Sequence, residues 1–210
     1  MNERSRNEAE LEGIVLSDPV FSHENHGVRF DRFVLRVPRL SGQEDLLPVL
    51  AGESLCASIR EGAAIRVFGQ LRSFNNRTGQ GSRLVLTIYA KSILSSTGGF
   101  TNTILLTGAL CKPPIYRRTP LGRSICDLML AVSRRCGRAD YLPVIAWGQL
   151  AAATAHLHVG DTLSLNGRVQ SRVYSKVTDS GTEERTAYEV SMMRLLDDSP
   201  DEEKEAPTST

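Results

Sequence analysis

The sequence predicts an all-β protein built from two tandem five-stranded barrels, each with one short helix between its third and fourth strands. The first observation is an internal repeat: the chain of 210 residues matches itself at an offset of 95 residues, which indicates one duplicated unit. The second is the local pattern inside each copy. Alternating apolar and polar residues are punctuated there by Gly and Pro, as is typical of short strands and turns.

The repeat consists of several matches in a single register. They are Gly13 with Gly108, Pro19 with Pro114, Gly27 with Gly122, FVLRVPR (33–39) with LMLAVSR (128–134), and DLLPV (45–49) with DYLPV (140–144). The offset then grows to 98, because EGAAIRVFGQLRS (61–73) aligns with VGDTLSLNGRVQS (159–171). The extra residues fall in segments 54–61 and 149–159, which we interpret as helices, so the second helix is expected to be slightly longer.

The second copy shows the order of elements most clearly. The segment QLAAATAHLHV (149–159) is expected to be a helix that ends before Gly160. Strands are predicted at 102–112, 124–134, 140–147, 161–174 and 186–196, with loops at 113–123 and 177–185. Five strands with a helix between the third and fourth have the order of an OB-fold, a small barrel that binds oligonucleotides or oligosaccharides.

The same elements give the expected domain boundaries. We predict a degenerate OB-fold domain at 1–94, a flexible linker at 95–101, a second OB-fold domain at 102–196 and a disordered acidic tail at 197–210. The net charge of the whole chain is only +1, but the second domain holds 12 Lys or Arg against 7 Asp or Glu. Because basic surfaces attract polyanions, the second domain is the candidate for a nucleic-acid partner.

Strand parity predicts an open aromatic face on the third strand of the second domain. Successive side chains of a strand point to opposite faces. Leu142, Val144 and Ala146 are therefore expected in the core. Tyr141 and Trp147 belong to the opposite, outward set. Flat rings of this kind stack on any base of a single strand.

The fourth strand places arginines beside a third ring. Its expected inward set is Leu163, Leu165, Val169 and Val173, and its outward set is Arg168, Gln170, Arg172 and Tyr174. Further cations stand in the first loop (Lys112, Arg117, Arg118 and Arg123) and after the second strand (Arg134 and Arg135, with Arg138 nearby). Since guanidinium groups bind phosphate and rings bind bases, these side chains and the three rings are the predicted nucleic-acid-binding residues.

Two sequence motifs connect residues 102–196 with a known family. The opening N-x-[VI]-x-L-x-G-x-L is matched by Asn102, Leu106, Gly108 and Leu110, and the Arg, Thr and Gly of the turn that follows it are placed at Arg118, Thr119 and Gly122. A later G-R-L-Q-x-R-x-[YW] strand is matched by Gly167, Arg168, Val169, Gln170, Arg172 and Tyr174. With these motifs the segment resembles the OB-fold of bacterial single-stranded DNA-binding proteins, in the tandem variant with two such domains per chain.

The resemblance implies what the chain does and with what it associates. In this family, aromatics at the positions of Tyr141, Trp147 and Tyr174 stack on bases. It implies binding of single-stranded DNA without sequence preference, protecting strands in replication, recombination or repair. It also implies a cytoplasmic, nucleoid-associated protein that forms a homodimer and thereby collects four domains. The acidic tail resembles the segment by which the family recruits replication or repair proteins, but it ends in APTST without a Pro-Phe pair.

The first copy departs from the family at the stacking positions. The repeat register puts Leu46, Gly52 and Asn76 at the places of Tyr141, Trp147 and Tyr174. We therefore expect the first copy to be a scaffold, a dimerisation unit or a weak binder.

Other functional classes have little support in the sequence. There is no G-x-S-x-G or Walker motif, and the cysteines at 56, 111, 126 and 136 form no C-x-x-C pair, so we expect no enzyme, cofactor or metal site. No apolar run approaches the roughly 18 residues of a membrane span. Two alternatives stay open: a primosome or mobile-element accessory protein that acts mainly through protein contacts, and an RNA-binding OB module.

Overall fold

The computed structural model describes residues 5–76, 84–178 and 181–196. The first unit contains β1 (Arg6–Val15), β2 (Val20–Asn25), β3 (Val28–Pro38), β4 (Glu44–Gly52), α1 (Glu53–Cys56), β5 (Ala64–Asn75) and β6 (Leu84–Ser95). The second contains β7 (Asn102–Leu110), β8 (Ile115–Arg118), β9 (Ser124–Ser133), β10 (Ala139–Trp147), α2 (Gln149–Thr154), β11 (Thr162–Thr178) and β12 (Gly181–Leu195). The predicted tail at 197–210 lies outside the described residues.

Each unit is a closed barrel, and the two barrels share one sheet. The strand order is β2-β3-β4-β6-β5-β1-β7-β11-β12-β10-β9-β8, with further pairings β3–β1 and β7–β9 that close each half. The pairs β4–β6 and β10–β12 are parallel, while their neighbours are antiparallel. The predicted fold class, two tandem OB-fold barrels with one short helix each, is confirmed.

The boundaries of several elements differ from the sequence-based prediction. Both helices are shorter, ending at Cys56 and Thr154. The predicted loop at 113–123 contains the four exposed residues of β8, which pair with β9. The predicted loop at 177–185 is largely strand, because β11 and β12 pair as far as Thr178 and Gly181. Loop-like composition did not prevent pairing, since the backbone of a hairpin supplies its own hydrogen bonds.

Inward side chains fill the barrels as the alternation predicts. Leu142, Val144 and Ala146 are buried, as are Leu163, Leu165 and Val169. The expectation for Val173 is wrong: 64% of it is exposed. Beyond Ser171 the β11–β12 hairpin continues past the barrel, so neither of its faces meets the core at Val173.

Two glycines of the repeat occupy equivalent points of closest strand approach. A Cβ added at Gly13 would lie 2.3 Å from the carbonyl oxygen of Arg36 on β3, and one at Gly108 would lie 2.7 Å from that of Ala131 on β9. These are the places where β1 and β7 cross to close their barrels. The repeated glycines are therefore explained by the space that the crossing leaves.

The two units are joined edge to edge by an antiparallel pairing of β1 with β7, which runs from Arg6 opposite Thr107 to Leu11 opposite Asn102. The segment between β6 and β7, expected to be a flexible linker, is anchored on Glu12. The Glu12 carboxylate accepts hydrogen bonds from the Ser96 hydroxyl, the Gly99 amide and the Thr101 hydroxyl. The hydrogen bond from Ser96 lowers the pKa of Glu12.

A buried carboxylate from each unit also binds the other unit. Asp140 on β10 accepts hydrogen bonds from Arg72 Nη1 at 2.9 Å and from the Ser73 amide at 2.7 Å, both on β5 of the first unit. Arg134 of its own unit completes the set, with Nε 2.8 Å from the carboxylate. Only 1% of the Asp140 side chain is exposed, so its charge is compensated almost entirely by these donors.

The reciprocal contact repeats this arrangement in the other direction. Asp45 on β4, whose side chain is fully buried, accepts hydrogen bonds from Arg39 Nε and from the Ser171 amide on β11, each at 2.7 Å. We call the two contacts the aspartate clamps. They relate the units by an approximate twofold axis.

The residues described contain no helix that is long and apolar enough to cross a membrane.

Replacing Asp140 by Ala is expected to destabilise the protein by about 3 kcal/mol, because removing one partner of a buried ion pair strands the remaining charges. The measurement is the free energy of unfolding in urea. Asp127→Ala is the matched control: Asp127 pairs with Arg117 at the surface, where 38% and 53% of the side chains are exposed. Its loss should cost less than about 1 kcal/mol. Equal effects of the two substitutions would contradict the buried role of Asp140.

Candidate nucleic-acid interface

Two of the three predicted stacking rings lie open to solvent at opposite ends of β10. Tyr141 is 50% exposed and Trp147 is 39% exposed. Ile145, which shares their parity, is only 5% exposed, so the outward face of β10 is interrupted between the rings. The β10 face therefore offers two separate stacking positions.

Trp147 stands at the edge of a groove of about 960 Å³, which we call the C-terminal groove. The second unit contributes Arg123, Trp147, Arg168, Gln170, Arg172, Val173, Ser191, Met192 and Met193, and the first unit contributes Arg39, Gln43 and Glu44. The groove thus combines one ring, several guanidinium groups and the sulfur-containing side chains of two methionines. That combination suits a flat base with an attached phosphate.

Tyr174 extends this surface along β11. Its ring is half-buried, and the Arg172 guanidinium carbon lies 5.7 Å from the ring centroid. Arg168, on the same strand, has a buried Nε without a hydrogen-bond partner among the described residues. The predicted outward set of the fourth strand is thus brought to one side of the second unit.

Among the described residues, one cation of the first loop forms a salt bridge and the other three do not. Arg117 binds Asp127 with 2.8 Å between Nε and Oδ2, so part of its charge is already compensated. Lys112, Arg118 and Arg123 are exposed, and Arg123 reaches the C-terminal groove. Near them, a hydrogen bond with Ser124 and one with Arg118 lower the pKa of Tyr116.

Arg134 and Arg135 do not join the other predicted residues. Arg134 is committed to Asp140, and its Nη2 also lies 3.2 Å from the Ser73 carbonyl oxygen of the first unit. Arg135 is exposed on the loop between β9 and β10, but it lines a different groove. The sequence analysis grouped both with the other binding residues of the second domain, because nothing in the order of strands shows that this loop contacts the other barrel.

That second groove, which we call the N-terminal groove, has a volume of about 1410 Å³. Its floor is the outer face of the first unit, with His23, Arg32, Arg72, Phe74, Tyr89 and Lys91, and its rim includes Ser133, Arg134, Arg135, Cys136 and Arg138 of the second unit. The sequence analysis did not use these rings, because it judged the first copy by the positions equivalent to Tyr141, Trp147 and Tyr174. Applying strand parity to LVLTIYAK (84–91) would have placed Tyr89 outward.

The four free cysteines differ sharply in accessibility. Cys136 is exposed on the rim of the N-terminal groove, whereas Cys56 and Cys126 are buried and Cys111 is half-buried. Burial raises the pKa of Cys56 to about 11 and also raises that of Cys126 and Cys111. Since the thiolate is the reactive form, these three thiols are protected twice, by burial and by protonation.

We expect iodoacetamide at pH 8 to modify one thiol of the native protein quickly, and that thiol is Cys136. Raising the pH toward 11 should increase the thiolate fraction at Cys56, although burial keeps its modification slower. Peptide mass spectrometry of the alkylated protein measures the order of modification. Equal early labelling of Cys56 would show that the first barrel opens readily.

Comparison with known proteins agrees with the geometry. A family model described as the single-strand binding protein family matches residues 101–196. A single-stranded DNA-binding protein of Clostridium tetani is 36% identical over 80 residues, which are 35% of this chain and 55% of that protein. Single-stranded DNA-binding protein 2 of Streptococcus agalactiae serotype V is 30% identical over 103 residues, which are 46% of this chain and 77% of that protein. This chain therefore spans little more than half of the clostridial relative.

Solved structures extend the likeness to both units. A deletion variant of the single-stranded DNA-binding protein from Thermus aquaticus aligns with 96% of this chain and 100% of its own, with a TM-score of 0.73 and 26% identity. The wild-type protein aligns with 99% of this chain at a TM-score of 0.75 and 24% identity, which supports the fold. The tandem arrangement is thus shared across nearly the whole length. On these matches, the chain belongs to the single-strand binding protein family.

Proposed function

We propose that this protein binds single-stranded DNA without sequence preference, using the C-terminal groove. The observation that carries the proposal is the exposed ring of Trp147 in a groove lined by Arg123, Arg168 and Arg172. Bases of a single strand stack on the ring, and the guanidinium groups hold the phosphates. Tyr141 and Tyr174 supply further stacking positions on the same unit.

The chemistry of this surface favours a nonspecific binding role in the cell. Stacking and phosphate contacts do not read base edges, so the groove accepts any sequence. Such a protein protects single strands during replication, recombination or repair, in the cytoplasm and in association with the nucleoid. The names of the clostridial and streptococcal relatives, which are single-stranded DNA-binding proteins, support the binding of single strands.

We further propose that the protein is a homodimer that collects four barrels, and that it acts by binding rather than by catalysis. The tandem arrangement supports the first point, because one chain already joins two barrels through β1 and β7. We also propose replication or repair proteins as partners, without assigning their contact to the acidic tail. The residues of that tail lie outside the described part of the chain.

Trp147→Ala should weaken the binding of oligo-dT about tenfold or more, because stacking on one ring contributes roughly 1–3 kcal/mol per base. In the wild-type protein, the fluorescence of Trp147 should be quenched as oligo-dT is added. The affinity is measured by anisotropy of a labelled oligo-dT. Phe100→Ala is the matched control, since Phe100 is 54% exposed but lines neither groove. Unchanged affinity of Trp147→Ala would refute the stacking role.

The phosphate contacts should appear in the salt dependence. For single strands, each phosphate neutralised adds about −0.7 to the slope of log affinity against log salt concentration. Replacing Arg168 or Arg172 by Gln should therefore make the slope shallower by about 0.7. A flat salt dependence of the wild-type protein would favour the alternative of a primosome or mobile-element accessory protein, and tighter binding of oligo-U than of oligo-dT would favour an RNA partner.

A further inference from the structure

We propose that Asp45 of the first unit is a positioning residue for DNA binding by the second unit. It holds the base of the hairpin segment that extends past the second barrel, which we call the C-terminal arm and define as 172–178 of β11 with 181–187 of β12. Arg172 and Tyr174 are thereby kept at the C-terminal groove. The proposal rests on the proposed function of that groove, because the effect of Asp45 on DNA passes through Tyr174.

The C-terminal arm lies outside the barrel from which it grows. Its strands pair from Arg172 opposite Ala187 to Thr178 opposite Gly181. The valines of the arm do not enter a core, since Val173 is 64% exposed and Val177 is 81% exposed. A two-stranded hairpin is at best marginally stable in water without other packing. The direction of the arm therefore depends on the residue where it leaves the barrel, which is Ser171.

Ser171 is held by four hydrogen bonds from the first unit. Its amide donates to Asp45 Oδ1 at 2.7 Å, and its hydroxyl donates to the same oxygen at 3.4 Å. The hydroxyl also accepts the Leu46 amide at 3.2 Å. The Ser171 carbonyl oxygen accepts from Arg39 Nη2 at 3.3 Å. The first barrel thus binds the amide, the carbonyl and the hydroxyl of the residue at which the arm begins.

Asp45 is the centre of this contact. Its side chain is fully buried, and Arg39 Nε, 2.7 Å from Oδ2, supplies the compensating charge. The same hydrogen bond raises the pKa of Arg39. Arg39 also donates to Gln43 Oε1 at 3.2 Å. Although Arg39 lines the C-terminal groove, its donors are engaged within the protein, so it supports the clamp rather than a phosphate.

The other aspartate clamp holds the equivalent point of the other hairpin. The Ser73 amide donates to Asp140 Oδ1 at 2.7 Å, and the Tyr141 amide donates to Ser73 Oγ at 2.7 Å. Arg134 Nη2 lies 3.2 Å from the Ser73 carbonyl oxygen. Each of these contacts has a counterpart at Ser171. Each barrel therefore holds the hairpin of the other, and the two clamps use the same chemistry on different hairpins.

The hold at Ser171 matters for binding because of leverage along the strand. Tyr174 is three residues further on, roughly 10 Å away at about 3.3 Å per residue. A rotation of about 20° at Ser171 would thus displace the ring by about 3 Å. Binding groups have to be held within about 0.5 Å of their productive positions. Arg172, whose guanidinium carbon is 5.7 Å from the Tyr174 ring centroid, moves with the same arm.

Hydrogen exchange of the full-length protein tests the hold on the arm without DNA. Asp45→Ala should speed amide exchange in the C-terminal arm about tenfold, because local opening then costs less free energy. It should leave the hairpin beyond Ser73 at its wild-type rate. Asp140→Ala is the matched control and should speed exchange beyond Ser73 without affecting the arm. No acceleration in the arm, or equal acceleration of both hairpins in Asp45→Ala, would overturn the proposal.

The binding of oligo-dT tests the consequence for function, by anisotropy of the labelled oligonucleotide. Tyr174→Leu should weaken binding at least fivefold when Asp45 is present, because a stacking ring is lost. In an Asp45→Ala background it should weaken binding less than twofold, since the ring is no longer in place. Trp147→Ala should cost the same factor in both backgrounds, because Trp147 stands on β10. In an Asp140→Ala background, Tyr174→Leu should keep its full effect.

The outcomes separate this proposal from the function of the groove. If Tyr174→Leu costs the same with and without Asp45, or costs nothing when Asp45 is present, the positioning role is wrong. In either case a cost of Trp147→Ala leaves the groove standing. If Asp45→Ala removes the Trp147 effect as well, the whole unit is disturbed and the positioning role is again wrong. If neither ring substitution weakens binding, both proposals fail.

A second variant keeps the test decisive if Asp45→Ala does not fold. Asp45→Asn keeps the size of the side chain and one acceptor oxygen for the Ser171 amide, but it cannot form the ion pair with Arg39. In this background the cost of Tyr174→Leu should be at least twofold smaller than in the wild-type protein. An unchanged cost would overturn the positioning role.

Discussion

The relation between the two barrels depends on two buried carboxylates, Asp45 and Asp140. Each is held by an arginine of its own unit and by a backbone amide of the other. A buried carboxylate must keep its donors, since an uncompensated buried charge is costly. The pairing of β1 with β7 joins the edges of the barrels, and the clamps fix the angle at which they meet.

This fixed angle produces grooves that neither barrel forms alone. The loop between β3 and β4 reaches the C-terminal groove through Arg39, Gln43 and Glu44, and the loop between β9 and β10 reaches the N-terminal groove. Each unit thus contributes a loop to the groove of the other, but the two loops differ in charge. The first unit contributes side chains of both charges, while the second contributes Arg135 and Arg138, which have no ion-pair partner in the described part of the chain.

The two barrels carry large rings on different strands of equivalent strand pairs. Trp147 in one unit and Phe30 in the other stand on opposite members of equivalent strand pairs. Cross-strand neighbours lie only about 5 Å apart, so a ring on either strand covers much the same patch.

Much of the fold follows from the sequence. The alternation in DYLPVIAW placed Leu142 and Val144 inside and Tyr141 and Trp147 outside, because the geometry of a strand fixes which way each side chain points. The repeat predicted two barrels, and the repeated Gly13 and Gly108 mark where each of them closes.

Long-range packing decided the rest. Ile145 is buried although its parity points outward, and Val173 is exposed because the hairpin extends past the barrel there. The alternation records neither point. The assignment of Arg134 to a buried clamp and of Arg135 to the groove of the other unit depends on how the barrels dock. The sequence by itself determined two barrels and a basic, aromatic surface on the second. Only the tertiary structure decided which side chains share a groove, because contacts between units join residues more than sixty positions apart and leave no local pattern.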